Sequence, residues 1–211
     1  MRRRLKLSSQ DLKYVLIFAL IATILTAGVA YLILKPTPTE QFFAMWILGA
    51  NGLAENYYPN NNSTLTVGEP VNWTLGVYNH MGDLEYVIVR VKLINSTSTG
   101  PDELTGTPSP APEIFEFSRI LVDNETWSIP FVWRILNLTQ QGQNLVLTQM
   151  SINQTLLNGN LGSATSGNNF RFVFELWFYD ENSGSLAFTW NGASGTHSVW
   201  TQIWFNATMT S

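Results

Sequence analysis

The sequence predicts an all-β, immunoglobulin-like antiparallel sandwich preceded by one N-terminal transmembrane helix. Three observations carry that prediction. Residues 14–34, YVLIFALIATILTAGVAYLIL, form a single uncharged apolar run. At helical rise it reaches about 31 Å, the thickness of a bilayer's hydrocarbon core. Beyond it, apolar residues recur at every second position in short segments, punctuated by Gly, Pro, Asn and Asp, which is the pattern of half-buried strands. The chain also has no cysteine, so a domain outside the cytoplasm must be held by its hydrophobic core rather than by disulfides.

The flanks of the run set its expected orientation. Arg2, Arg3, Arg4, Lys6 and Lys13 stand before it against Asp11 alone, and only Lys35 follows before Glu40. The positive-inside rule then places residues 1–13 in the cytoplasm as a stub and the rest of the chain outside. The competing interpretation is a cleaved secretory signal ending near Gly28-Val29-Ala30, but signal h-regions run to only about 7–15 residues, and an uncleaved anchor is expected. Ala19, Thr23 and Ala27, and Ala22, Thr26 and Ala30, make small-residue stripes along which helices can approach; they are also ordinary span residues. Residues 35–40 carry Pro36 and Pro38 and read as a short, stiff linker.

The exterior domain is then 41–211. Residues 41–48 are a short apolar strand, and the Asn/Gly/Pro-rich stretch 50–63 is loop. Strands follow at 64–67 and 71–79 around Gly68-Glu69-Pro70, with Val71, Trp73, Leu75 and Val77 on one face. The turn Asn79-His80-Met81-Gly82-Asp83 leads into 84–94, where Val87, Val89, Val91 and Leu93 alternate with Arg90 and Lys92. Residues 95–112 hold four prolines and read as a long loop. Strands 113–122 and 126–136 flank Asp123-Asn124-Glu125 as an expected hairpin. Residues 145–156 read as one apolar strand and 158–169 as a Gly/Asn/Ser loop. Strands at 170–179, 186–190 and 197–206 complete the set.

Several of these segments carry a family resemblance. Phe42-Phe43 leading to Leu48-Gly49 is followed by Asn51-Gly52-x-Ala54-Glu55-Asn56-Tyr57, Leu65-Thr66-Val67-Gly68-Glu69-Pro70 and Gly76-Val77-x-Asn79-His80. Together they resemble an archaeal family of membrane-anchored proteins of unknown function. The later strands 170–179 and 200–205 look like that family's closing pair. The sequence departs from the family pattern at Met81, where Glu is usual, and in having one span where many members have several. The resemblance implies an extracytoplasmic immunoglobulin-like domain and brings no catalytic residue with it.

Charge and composition narrow the functional classes. Beyond residue 36 there are five basic residues against fourteen acidic ones, a balance of about −9 that opposes nucleic-acid binding. Without cysteine, thiolate metal sites and iron–sulfur clusters are excluded. His80 and His197, the two histidines, have no close spacing, and His80 sits in a turn motif, so no metal or cofactor site is expected even with Asp83 and Glu85 near in sequence. No nucleophile elbow, phosphate loop or zinc-protease motif occurs, and the paired carboxylates lie in expected loops or strand ends, so no enzyme is predicted. N-glycosylation sequons fall at Asn61, Asn62, Asn72, Asn95, Asn124, Asn137, Asn153 and Asn206, all beyond the apolar run. Of these, Asn62, Asn95, Asn124 and Asn137 are the expected glycan carriers.

The eight tryptophans spread over nearly every strand. Most of that aromatic area is expected in the core. In WTQIW, however, Trp200 and Trp204 share one face while Ile203 and Phe205 take the other. That two-sided apolar strand points to a protein partner or a second copy, with lipid contacted only by the span. The expected function is a non-enzymatic, membrane-anchored interaction protein, an envelope component or accessory subunit. A surface filament subunit and a carbohydrate-binding module are the alternatives. Filament subunits need a small residue just before the apolar run, where Lys13 stands.

Overall fold

The computed structural model of the chain describes residues 9–34, 40–192 and 195–209. Most of the basic stub (1–8) and of the linker (35–39) lies outside the described residues. The chain divides into two units, one up to Thr39 and one from Glu40 onward. The first contains one helix, α1 (Ser9–Leu34), which begins upstream of the apolar run and takes Asp11 and Lys13 into its first turns. Its stretch Leu12–Tyr31 has a mean hydropathy of 2.2 and no buried residue. That is the length and composition of a membrane span, which a signal sequence shares. The hydroxyls of Thr23 and Thr26 donate back to the carbonyls of Ala19 and Ala22 at 2.8 and 2.7 Å, so they are satisfied within their own helix.

The second unit is built from strands β1 (Phe42–Leu48), β2 (Thr64–Thr66), β3 (Val71–His80), β4 (Glu85–Asn95), β5 (Glu113–Leu121), β6 (Thr126–Gln141) and β7 (Asn144–Ile152), followed by β8 (Thr155–Thr165), β9 (Phe170–Asp180), β10 (Ser185–Ala187), β11 (Thr189–Gly192), β12 (Gly195–Ser198) and β13 (Trp200–Thr208). One sheet has the order β1-β3-β6-β7-β8. The other runs β2-β13-β9-β4-β5, with β10 added beside β9, and β11 and β12 form a separate ribbon. The two sheets make the expected sandwich. Its pairings are antiparallel except one: β2 runs parallel to β13.

Alternation places the core. Val71, Trp73, Leu75 and Val77 of β3 and Ile129, Phe131, Trp133 and Ile135 of β6 point inward from one sheet. From the other, Val87, Val89 and Val91 of β4 and Phe170, Phe172 and Phe174 of β9 meet them. The contact is aromatic. Phe131 and Phe174 meet edge to face at 5.1 Å, Trp133 and Phe172 at 4.8 Å. Each such pair adds about 0.5–1.5 kcal/mol beyond area burial, and together they stand where disulfides would in a smaller domain.

The sheet edges are closed by side chains. On the β1 edge, Tyr57 donates its hydroxyl to the Ile47 carbonyl and the Trp190 indole donates to the Gln41 carbonyl. On the part of β13 that β2 does not pair, Tyr58 donates to the Trp204 carbonyl, and burial pushes the Tyr58 phenol well above its ordinary range, so it stays a donor. Elsewhere one close approach needs glycine. A Cβ on Gly76 of β3 would fall 2.0 Å from the Trp46 indole, which is laid across it from β1.

Three sequence expectations are corrected. β5 and β6 are not a hairpin: they lie in different sheets, and the turn at 123–125 crosses the sandwich and is tied to the end of β3 by the Asn79 N–H to Glu125 and the Asn124 N–H to Asn79 carbonyl. Alternating strands around a polar turn fit a hairpin and an arch equally well, so local sequence does not choose. The 145–156 segment breaks at Asn153 and Gln154, whose φ values of 45° and 70° make a tight turn between β7 and β8. The 158–169 stretch is mostly strand: β8 reaches Thr165 as the edge of its sheet, and its Asn and Gly are the polar, weakly pairing residues that suit an edge. β9 is the middle of its sheet, with β4 on one side and β13 on the other.

The face of β4 that carries Arg90 and Lys92 is also not a solvent face. The loop 96–112 lies over it. Lys92 Nζ is 2.8 Å from Glu175 Oε2 of β9, with the two side chains 7% and 0% exposed. Ser109 of the loop closes the pair from above. Its carbonyl accepts from Lys92 Nζ at 2.5 Å, and its N–H donates to Glu175 Oε1 at 2.7 Å. Removing one member of a buried, hydrogen-bonded pair leaves the other uncompensated, at a cost of about 3–5 kcal/mol. Lys92→Met should therefore cost about that much in denaturant unfolding of the full chain. Lys92→Met/Glu175→Gln, which removes both charges and keeps an acceptor for Ser109, should recover most of it; equal loss in both variants would show that the charge pair is not what holds the loop.

Candidate functional site

The outer face of the β5-β4-β9-β13 sheet carries side chains in rows across the strands, and the rows differ in cover. Midway, Arg90 lies over the Trp177 ring at 4.2 Å and its Nε is 3.0 Å from Glu113, a charge contact without hydrogen-bond alignment. Phe188 packs on Trp177 at 5.5 Å and is itself buried. The Lys92–Glu175 pair comes next, under the loop. Beyond it, Arg171 lies over Trp204 at 4.7 Å and bonds Gln202 at 2.8 Å and the Ser98 carbonyl at 3.2 Å. Burial lowers the Arg171 pKa from its ordinary value.

Trp200 and Trp204 do share this outer face, while Phe205 is core and Ile203 packs against it. Trp200 stands opposite Glu175 and is half-buried; Trp204 stands opposite Arg171 and is open to solvent.

The other end of the face is uncovered. Ile120 of β5 stands directly opposite Tyr86 of β4, and Tyr179 of β9 opposite Leu186 of β10. The register that pairs Val87 with Phe178 sets Tyr86 beside Tyr179. The row Ile120–Tyr86–Tyr179–Leu186 thus crosses four strands on one face. Ile120, Tyr86 and Tyr179 are 56%, 39% and 44% exposed. Beside the tyrosines opens a cleft of about 630 Å³ whose carboxylates are Asp83, Glu85, Asp180 and Glu181, with Trp190 on its wall and no Lys or Arg among its described lining residues.

Burial pushes the Glu85 carboxyl up to about 6, and the negative charges of Asp83, Glu181 and Asp180 push the same way. Asp180 is held low instead, by hydrogen bonds from Ser183 and Asn182. No contiguous motif marks this site. Its one signal is an acidic residue next to an outward tyrosine at the end of each of two neighbouring strands, Glu85-Tyr86 and Tyr179-Asp180.

The other candidate residues are scattered. His80 is bonded to Asn124 Oδ1 at 2.6 Å and lies 4.0 Å from Asp123, while His197 lies against the Trp190 ring. Among the described residues no three His, Asp or Glu converge as metal ligands would.

The sequons fall into two groups. The side-chain amide nitrogen, where a glycan would attach, donates to the Ser163 carbonyl in Asn95, to Asp123 in Asn124, to Thr148 in Asn137 and to the Pro130 carbonyl in Asn153. Asn61, Asn62 and Asn72 are exposed, with no such bond among those described. Asn206 is half-buried, and its side-chain oxygen accepts from the Asn169 N–H.

No protein-family model and no curated protein matches this chain. Among solved structures, it is similar to the CARDB domain of a Pyrococcus furiosus protein in complex with di-metal ions, at 11% identity and a TM-score of 0.40, covering 83% of this chain and all of that one. It is also similar to a beta-glucosidase from Listeria innocua in complex with glucose, at 10% identity and a TM-score of 0.36. That match covers 79% of this chain but only 16% of the enzyme. Likenesses this distant bring no ligand or activity to the chain.

The carboxylate cleft has a consequence for stability. Glu85 titrates higher in the folded chain than its ordinary value, so the folded state disfavours its charged form. The resulting cost is absent below the ordinary carboxylate range and complete above pH 6. Glu85→Gln should raise the melting temperature of the domain at pH 7.5 and leave it unchanged at pH 4. With a partly exposed carboxyl the gain should be about 1 kcal/mol or less; a gain that is equal at both pH values would place the effect in packing.

Proposed function

We propose that this chain is a membrane-anchored, extracytoplasmic, non-enzymatic interaction protein, an envelope component or an accessory subunit of a membrane complex. The observation that carries the proposal is the pairing of an apolar helix that buries nothing in its own chain with a separate, self-sufficient sandwich. A helix of that length and composition is stable in a bilayer, where its backbone is satisfied and its side chains match the lipid. With the basic flank inside, the sandwich stands outside the cell, and the sequons stand with it. Contact is proposed through the outer face of the β9 sheet, with Trp204 at one end and the tyrosine row at the other, while Trp200 supports it from beneath. Sheet faces that keep aromatic side chains open to solvent favour binding over solubility.

Glycans support the same placement. An asparagine whose amide nitrogen is unbonded and exposed accepts a glycan with no loss to the fold, whereas one bonded to a neighbouring carbonyl must first give that bond up. Asn62 and Asn72 are therefore the proposed carriers, ahead of Asn95, Asn124, Asn137 and Asn153.

Two measurements test this reading. In gentle detergent extracts of native membranes, the chain should migrate in an assembly well above one 23.7 kDa polypeptide plus micelle; migration as a lone chain would end the interaction reading. Glycopeptide mapping of the native protein should find occupancy at Asn62 or Asn72 exceeding that at Asn95 and Asn153; the reverse order would mean that modification precedes folding.

A further inference from the structure

We infer that the uncovered end of the β5-β4-β9-β10 face, the row Ile120–Tyr86–Tyr179–Leu186 with its carboxylate rim, docks a basic, amphipathic segment of a partner protein. The inference rests on the interaction reading above and names its surface and the chemistry of its partner.

The same face shows what a covered version looks like. One row inward, Ile88 and Phe188 are 6% and 5% exposed, and further along, the loop 96–112 buries the charge pair. The terminal row has no such cover: Ile120, Tyr86 and Tyr179 are exposed, as Trp204 is at the far end of the face. Its members are the kind that carry binding energy. Tyrosines offer a large, rigid apolar ring with a hydrogen-bonding tip, and Ile120 and Leu186 extend the apolar area on both sides.

The rim decides the sign of the partner. Asp83, Glu85, Asp180 and Glu181 gather at one edge without a lysine or arginine among the lining residues. The mutual repulsion felt by Glu85 says that this edge lacks a counter-charge. Lys or Arg side chains flanking an apolar anchor would supply it, and a guanidinium or ammonium over the exposed tyrosine rings gains a further cation–π contact. A second copy of this chain fits poorly. Two copies meeting through this row would bring together two domains that each carry about −9, with no basic side chain among the lining residues to answer the acidic rims. A metal ion fits poorly as well, because the four carboxylates do not converge on one point.

The full chain in phosphatidylcholine nanodiscs gives the test, with two fluorescent peptides as probes, one alternating Lys and Leu and the other alternating Glu and Leu. The Lys/Leu peptide should bind saturably by anisotropy, and the Glu/Leu peptide should not. Raising salt from about 0.05 to about 0.5 M should weaken binding strongly. Asp83→Lys/Glu181→Lys should weaken it about tenfold or more, and Tyr179→Ser should do so at unchanged near-ultraviolet circular dichroism. Glu55→Lys/Glu103→Lys, charge reversals elsewhere on the domain, should change it less than about twofold. Equal binding of both peptides, equal loss from the control reversals, displacement by neutral oligosaccharide, or a concentration-dependent dimer abolished by Tyr179→Ser would each overturn the inference. A native assembly that survives Asp83→Lys/Glu181→Lys would also sink it while leaving the interaction reading intact. A wild-type chain that migrates alone would instead remove that reading.

Discussion

The contact between Lys92 and Glu175, closed over by Ser109, is the constraint on which the outer half of the sandwich depends. A sheet normally has one dry face and one wet face. Here the second face of β4 and β9 is dried by a proline-rich loop, and that is possible only because the charges already on that face find each other. Desolvating a lone ammonium or carboxylate costs several kcal/mol or more. The loop repays part of that cost through its own backbone, since the Ser109 carbonyl accepts from Lys92 and the Ser109 N–H donates to Glu175, to which the Trp177 indole also donates. The long loop is thus ordered by a polar anchor rather than by apolar packing. Such an anchor fixes one position, whereas an apolar contact tolerates sliding.

The same economy runs through the edges. A disulfide-free domain that is rich in strands must keep its strand ends from pairing with other chains. Tyr57, Tyr58 and Trp190 do so with single donors to single carbonyls while their rings lie on the core. Aromatic residues therefore serve twice here, as core volume and as caps on open backbone. β8 uses the other solution, a run of Asn and Gly that pairs inward and offers little outward. What the loop leaves open on this face includes Trp204 at one end and, at the other, Tyr86, Tyr179 and Ile120 with half-buried Leu186, beside four carboxylates. The proposed docking surface is thus defined by subtraction, as a part of the face that its own chain does not cover.

Much of the inner architecture could be read from residue order. VNWTLGVYN and FRFVFELWFY alternate cleanly, and their inward residues are the ones that meet in the core. The aromatic faces of WTQIW are also assigned correctly from period alone. The failures share one cause. Alternation tells which residues lie on a common face but not what stands opposite that face. Arg90 and Lys92 look like solvent residues because charged residues usually are, and nothing local to β4 reveals that Ser109 will stand over them. Nothing near Asn95 in the chain reveals that its side-chain amide donates to the Ser163 carbonyl of β8. Residues 158–165 of β8 look like loop because an edge strand is composed like one.

By itself the sequence determined the apolar helix, the all-β class of the domain, the absence of disulfides and the identity of most core residues, because each is set by local composition or by a two-residue period. Which sheet each strand joins, and therefore that 123–125 is an arch and β9 a central strand, was decided only in three dimensions. So was the site. Tyr86 and Tyr179 are far apart in the chain, and only the β4–β9 register sets them side by side. The acids beside them act as one group only because two turns from different strands end at the same corner. Pairing between distant strands depends on the whole core's packing rather than on any window of sequence, so a surface built across four strands is legible only in the folded chain.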